Sequence, residues 1–184
     1  MRGVRWLGAL LMAGACFVSA PAFAAPATVN SIQIGLGARY GIEMMEGEGN
    51  PWGFGLGVNG GITLPMAVYV GGVAEYFFGE EVDVPGGSFS TNLWQLMAEG
   101  GYDLGAGPLV VRPKVGLGFV SSSGEACVTG FGCTDVSSTD FALAPGVAVM
   151  AFLPMLSVSA DVRYELVFAE ETGKGLLFSL GLGF

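Results

Sequence analysis

The sequence predicts an all-β fold, an eight-stranded antiparallel up-and-down transmembrane β-barrel, and three observations predict it. The chain is 52% hydrophobic and only 12% charged, well below the roughly 25% charged residues of an average soluble domain. Beyond residue 24 no apolar run approaches the ~20 residues that a spanning helix needs. From Ser31 onward apolar residues recur with period two rather than 3.6, as in strands with one greasy face. In hydrocarbon an unpaired backbone N–H or C=O is costly, so a sheet that spans a membrane must close on itself. The 32 glycines agree, since Gly costs about 1 kcal/mol against Ala inside a helix.

Residues 1–24 read as a secretory signal peptide. Arg2 and Arg5 form a positive start, an apolar stretch runs from Trp6 to Ala20, and Ala22-Phe23-Ala24 supplies small residues for cleavage before Ala25. The rival is lipidation of Cys16 after Ala13-Gly14-Ala15, although a bulky aliphatic residue is expected where Ala13 stands. Residues 25–184 are then the barrel domain, exported to the outer membrane of a Gram-negative bacterium. Cys127 and Cys133 remain as an even pair in an oxidising compartment, and a disulfide between them is expected.

Eight segments follow. In the first, Ile32, Ile34, Leu36, Ala38, Tyr40 and Ile42 oppose Gln33, Gly35, Gly37, Arg39, Gly41 and Glu43. The second places Trp52, Phe54, Leu56, Val58 and Ile62 opposite Gly53, Gly55, Gly57, Asn59 and Gly61. The third sets Val68, Val70, Ala74, Tyr76 and Phe78 against Tyr69, Gly71, Val73 and Glu75. The fourth alternates Trp94, Leu96, Ala98 and Tyr102 with Gln95, Met97, Glu99 and Gly101. The fifth has Leu109, Val111, Val115, Leu117 and Phe119 facing away from Arg112, Lys114, Gly116 and Gly118. In the sixth, Phe141, Leu143, Val147 and Val149 oppose Ala142, Ala144, Gly146 and Ala148. The seventh alternates Leu156, Val158, Ala160, Val162, Tyr164, Leu166 and Phe168 with Ser157, Ser159, Asp161, Arg163 and Glu165. The eighth alternates Leu176, Phe178, Leu180, Leu182 and Phe184 with Leu177, Ser179, Gly181 and Gly183. Each matches the roughly 9–11 tilted residues of a transmembrane strand. Pro113 and Pro145 fall inside strands, where a missing donor predicts a bulge at each.

Connections alternate in length. Residues 64–66, 104–108 and 153–155 make short turns, while 43–51, 79–90, 121–139 and 169–173 are longer and acidic. Short turns at one end and long loops at the other are typical of outer-membrane barrels. Aromatics near strand ends, including Tyr40, Trp52, Tyr76, Phe78, Tyr102, Phe119, Phe141, Tyr164, Phe168 and Phe184, fit interfacial girdles.

The bulky face points to lipid and the other into a narrow lumen, where small residues and paired charges are expected. The inward charge set is Arg39, Glu43, Glu75, Glu99, Arg112, Lys114, Asp161, Arg163 and Glu165. Buried charges are costly unless paired, so a salt-bridged plug is the first reading and a narrow ion path the second. A soluble lipocalin-like barrel is a further alternative, but the polar faces are largely Gly and Ala, with too few charges to solvate an exterior.

The alternating segments and the closing run from Leu176 to Phe184 resemble the OmpA/OmpX-type small outer-membrane barrels. The resemblance implies partners in outer-membrane lipid, lipopolysaccharide and the assembly machinery, which would recognise Phe178, Leu180, Leu182 and Phe184. Unlike OmpA itself, the chain is expected to carry no peptidoglycan-binding domain after the barrel. Acyl-transferring and lipolytic barrels of similar architecture rely on His with Ser, and this chain has no His, so it lacks that general base.

No catalytic residue, cofactor or metal site is expected. Two Cys without His do not by themselves complete a tetrahedral site. Seven basic against 16 acidic side chains exclude nucleic acid as a partner. Acidic residues in the long connections, Glu46, Glu48, Glu80, Glu81, Asp83, Glu125, Asp135, Glu170 and Glu171, are read as solvated, with a weak divalent-cation site bridging to lipopolysaccharide phosphates as the alternative. The expectation is a non-enzymatic structural or surface-interaction protein acting through acidic external loops, with a narrow solute or ion channel as its alternative.

Overall fold

A computed structural model describes residues 32–44, 50–79, 81–84, 87–106, 108–128, 132–169 and 172–184. Residues 1–24, read from sequence as a signal peptide, and Glu46, Glu48, Glu80, Glu170 and Glu171 lie outside the described residues.

Ten strands form one antiparallel sheet: β1 (Ile32–Glu43), β2 (Gly53–Thr63), β3 (Val68–Phe78), β4 (Glu81–Val84), β5 (Gly87–Tyr102), β6 (Leu104–Ala106), β7 (Leu109–Val128), β8 (Gly132–Phe152), β9 (Ser157–Phe168) and β10 (Thr172–Gly183). Eight of them make the barrel, in the order β1-β2-β3-β5-β7-β8-β9-β10. Pairing of β1 with β10 closes the ring. Phe184 is tied into that seam, donating to Ile34 O at 2.9 Å and accepting from Ile34 N at 3.2 Å. Closure removes the edges that lipid would not tolerate.

Alternation places Ile34, Leu36, Leu56, Val58, Leu96 and Leu180 outside, each more than half exposed. In water such a surface would aggregate. In a bilayer it is the matching phase.

Toward the end opposite the chain termini, Tyr40, Phe54, Tyr76, Phe78, Trp94, Phe119, Phe141 and Phe168 stay exposed. Tyr76 and Phe78 pack edge to face at 5.0 Å, as do Phe119 and Phe141 at 6.0 Å. These are amphipathic or polarisable rings at the level where a membrane meets headgroups.

Four details differ from the sequence reading. Trp52 is buried at 4% exposure, not lipid-facing. Gly53, at φ +47°, breaks the extended backbone before β2 and lets the indole swing over the lumen.

No bulge occurs at Pro113 or Pro145. The β7–β8 register runs unbroken from Leu109↔Ala151 to Val128↔Gly132. On their other sides the ladders skip the proline pairs and resume in the same register. In antiparallel pairing each residue's N–H faces one neighbour only, so a proline costs one pairing and no register shift.

The lumen also admits large side chains, among them Tyr69, Phe77, Met97 and Leu177, each at most 2% exposed. Glycines opposite make the room: a Cβ on Gly41 would lie 2.4 Å from Trp52 Cβ.

Finally, residues 121–128 and 132–139 are strand rather than loop. β7 and β8 continue as a paired hairpin, joined by β5 through Gly87↔Val128 to Asn92↔Ser123 and by β4 through Glu81↔Ser90 to Val84↔Gly87. The result is a four-stranded sheet projecting beyond the barrel.

Candidate functional site

Two features could carry function, the lumen and the projecting sheet. The lumen is layered. Nearest the projecting sheet lies an apolar plug of Trp52, Phe77, Leu93, Met97, Val120 and Leu177, with Trp52 and Phe77 edge to face at 5.4 Å.

Next comes a layer of charge centred on Glu75 of β3. Arg163 Nη2 of β9 donates to both Glu75 oxygens at 2.6 and 2.5 Å, and Arg39 of β1 and Gln95 of β5 donate to the same carboxylate. Lys114 Nζ bridges Glu99 and Asp161, each at 2.8 Å. Arg163 Nε lies 3.2 Å from Asp161 and its Nη1 3.8 Å from Glu99, ion-pair contacts without hydrogen-bond geometry. Ser179 donates to Asp161 at 3.1 Å.

Toward the short turns, Arg112 Nη2 donates to Asp103 at 2.9 Å and to Gln33 at 3.0 Å. Thr63 donates to Asp103 at 2.8 Å. The Arg112 guanidinium carbon sits 3.5 Å from the Tyr69 ring centroid, a cation–π contact. This cluster spans the stretch where Pro113 interrupts the β5/β6 ladder, so side chains hold what the backbone does not.

Eight of the nine charges read as inward from sequence therefore face the lumen, and seven of them join ion pairs. Glu43 does not join them. It is half-buried at the far end of β1, and its backbone N–H donates to Asn50 at 3.2 Å. Glu165 is fully buried and neither of its carboxylate oxygens has a hydrogen-bond partner among the described residues.

Sequence reading missed Asp103, Thr63, Gln33 and Tyr69 as members of the network. Asp103 and Thr63 continue the odd-numbered inward parity of β5 and β2 by one step, and that parity is the signal that finds them.

Below the projecting sheet the lumen retains a cavity of about 60 Å³, lined by Arg39, Glu75, Arg112, Lys114 and Arg163 among others.

The projecting sheet offers the opposite character. Residues 132–139 of β8 are exposed, and β8 pairs with β9 only from Phe141 onward. One side of this strand therefore has no strand partner among the described residues. Cys127 and Cys133 form a disulfide across the hairpin end, with Cα atoms 4.0 Å apart. Hydroxyls lace the stem: Ser122 and Ser138 lie 2.8 Å apart, and Thr139 donates to Ser121 at 2.9 Å.

The chain resembles several solved structures in fold. Ail, the attachment invasion locus protein of Yersinia pestis, superposes with a TM-score of 0.61 at 14% identity, covering 84% of this chain and 97% of Ail. Ail has also been solved in complex with the heparin analogue sucrose octasulfate. Neisserial surface protein A gives 0.59 at 15% identity over 83% of this chain and 95% of that one. A major outer membrane protein from Thermus thermophilus gives 0.60 at 15% identity over 84% and 99%. No curated protein matches in sequence. The family model for the outer membrane protein beta-barrel domain matches residues 9–184. With its closed ring, lipid-ready exterior and filled lumen, the chain belongs to the outer membrane protein beta-barrel domain family.

Proposed function

We propose that this is a non-enzymatic surface-interaction protein, in which a sealed barrel anchors a projecting β-sheet that meets other molecules. The observation that carries this reading is the side of β8 between Gly132 and Asp140 that pairs with no strand among the described residues. Strand edges recruit extended segments by main-chain hydrogen bonding. Natural proteins usually blunt them with lysine, proline or a covering element, and this strand has no Lys or Pro between those residues. Glu125, Asp135 and Asp140 line the hairpin, so an extended segment of basic character suits it better than a polyanion such as the heparin analogue bound by Ail.

Hydrogen-bond alternation selects the test. Pro145 turns its nitrogen away from β7, so Ser137, eight residues before it, points its N–H the same way, to the open side. Ser137→Pro should abolish binding of a Lys-rich extended peptide to the bilayer-embedded protein while leaving the β7 ladder intact. Equal binding by the variant would contradict edge recognition.

The channel alternative finds little support in a lumen blocked by an apolar plug and interlocked ion pairs. Enzymatic chemistry finds little support: the chain has no His, and among the described residues the hydroxyl cluster on the hairpin meets one carboxylate, Asp140, at 3.1 Å from Ser138. The reading includes removal of residues 1–24 before Ala25, which the intact mass of the purified protein checks. It also includes Phe178, Leu180, Leu182 and Phe184 as the face read by the assembly machinery. All four point outward.

A further inference from the structure

Glu125 and Cys127 on β7 and Cys133 and Asp135 on β8 occupy two successive cross-strand pairs, Glu125↔Asp135 and Cys127↔Cys133. Side chains two apart on a strand share a face, so all four stand on the outer face of the hairpin. The nearest Glu125 oxygen and both sulfurs lie within 4.8 Å of one another, and Glu125 Oε1 is 3.7 Å from Cys127 Sγ. Two carboxylates directly opposite each other destabilise a sheet. Nothing on the hairpin offsets them, since the sequence from residue 115 to 162 contains no Lys or Arg. The sulfurs are not donors while bonded to each other. Once separated, they and the Glu125 carboxylate form an S2O set within reach of one ion, and Asp135, opposite Glu125 on the same face, is the fourth donor that a side-chain rotation would bring in.

We propose that the hairpin tip is a redox-gated site for a thiophilic divalent cation such as zinc, closed in the disulfide form and opened by a small-molecule thiol. The chemistry balances. Two reductant thiols pass two electrons to the Cys127–Cys133 bond, leaving two cysteine thiols and one reductant disulfide. Binding of the divalent ion then releases two protons as both thiols become thiolates. Thiolate donors select zinc-like ions over calcium or magnesium, and carboxylates complete the four-coordinate set that zinc favours. The ion would also remove the repulsion between Glu125 and Asp135. This site uses outward side chains, whereas strand addition uses the open backbone of β8, so either reading stands without the other.

The test takes the refolded full barrel in detergent, reduced with a phosphine, freed of reductant and titrated with cobalt(II). The expected result is one equivalent bound with a thiolate-to-cobalt charge-transfer band, absent from the oxidised protein. The double variant Glu125→Gln/Asp135→Asn should bind more weakly by a factor on the order of ten or more, taking the effect of losing a supporting residue as the floor. The shift in gel mobility on heating reports that each sample's barrel is intact. A reduced protein that gives no such band, or a double variant that binds as tightly as the parent, would overturn the site.

Discussion

Arg163 holds the centre of the lumen. Its guanidinium donates twice to Glu75 and touches Asp161, so Arg163→Ala leaves Glu75 with Arg39 alone and Asp161 with Lys114 alone. Breaking a buried pair from one side costs about 3–5 kcal/mol, and the variant should show a clearly lower urea midpoint in detergent. Glu165 predicts the opposite sign. It is a fully buried acid with no hydrogen-bond partner among the described residues, so Glu165→Gln should raise the same midpoint, and a fall would show that the carboxyl has a role in holding the network. Gly57 is a third test: an added Cβ would lie 2.7 Å from Glu75 Cγ and 3.1 Å from Arg39 Nε. Gly57→Ala should cost ~1–3 kcal/mol as overpacking, read from the same unfolding curve. The inward charges themselves were legible, because period two assigns every residue of a strand to a face. Their partners were not. Which cation meets Glu75 depends on the stagger between β3 and β9, 88 residues apart, and no local pattern encodes that.

At the scale of elements, the sequence showed eight strands and the short turns near 64–66 and 153–155, since alternation and Pro-containing turns are local signals, but Leu104–Ala106, read as turn, pairs with β7. It misplaced the strand ends on the other side. Ser121-Ser122-Ser123-Gly124 has the composition of a loop, yet it pairs residue by residue with β8, because a hairpin already in register extends at little cost. Trp52 misled for a related reason: parity alone puts it in the lipid, and only the positive φ of Gly53 turns it inward. The hairpin is expected to behave as a unit apart from the barrel. Cys127→Ser/Cys133→Ser should keep the barrel's heat-dependent gel mobility while the hairpin is cut faster in limited proteolysis. Loss of the mobility shift would mean that the hairpin helps to build the ring.

The whole molecule divides its labour by position. Apolar side chains face out, where lipid solvates them, and ion pairs fill much of a narrow lumen. The chain's excess of acid is left for the projecting sheet and the connections beside it. A sealed ring bearing an exposed sheet suits recognition at a surface better than transport through a pore. The most direct test is the conductance of the refolded wild-type protein in a planar bilayer. The account predicts a quiet membrane, with no stable openings attributable to the barrel. Reproducible single-channel openings would contradict the sealed lumen and move the function from the sheet to the pore.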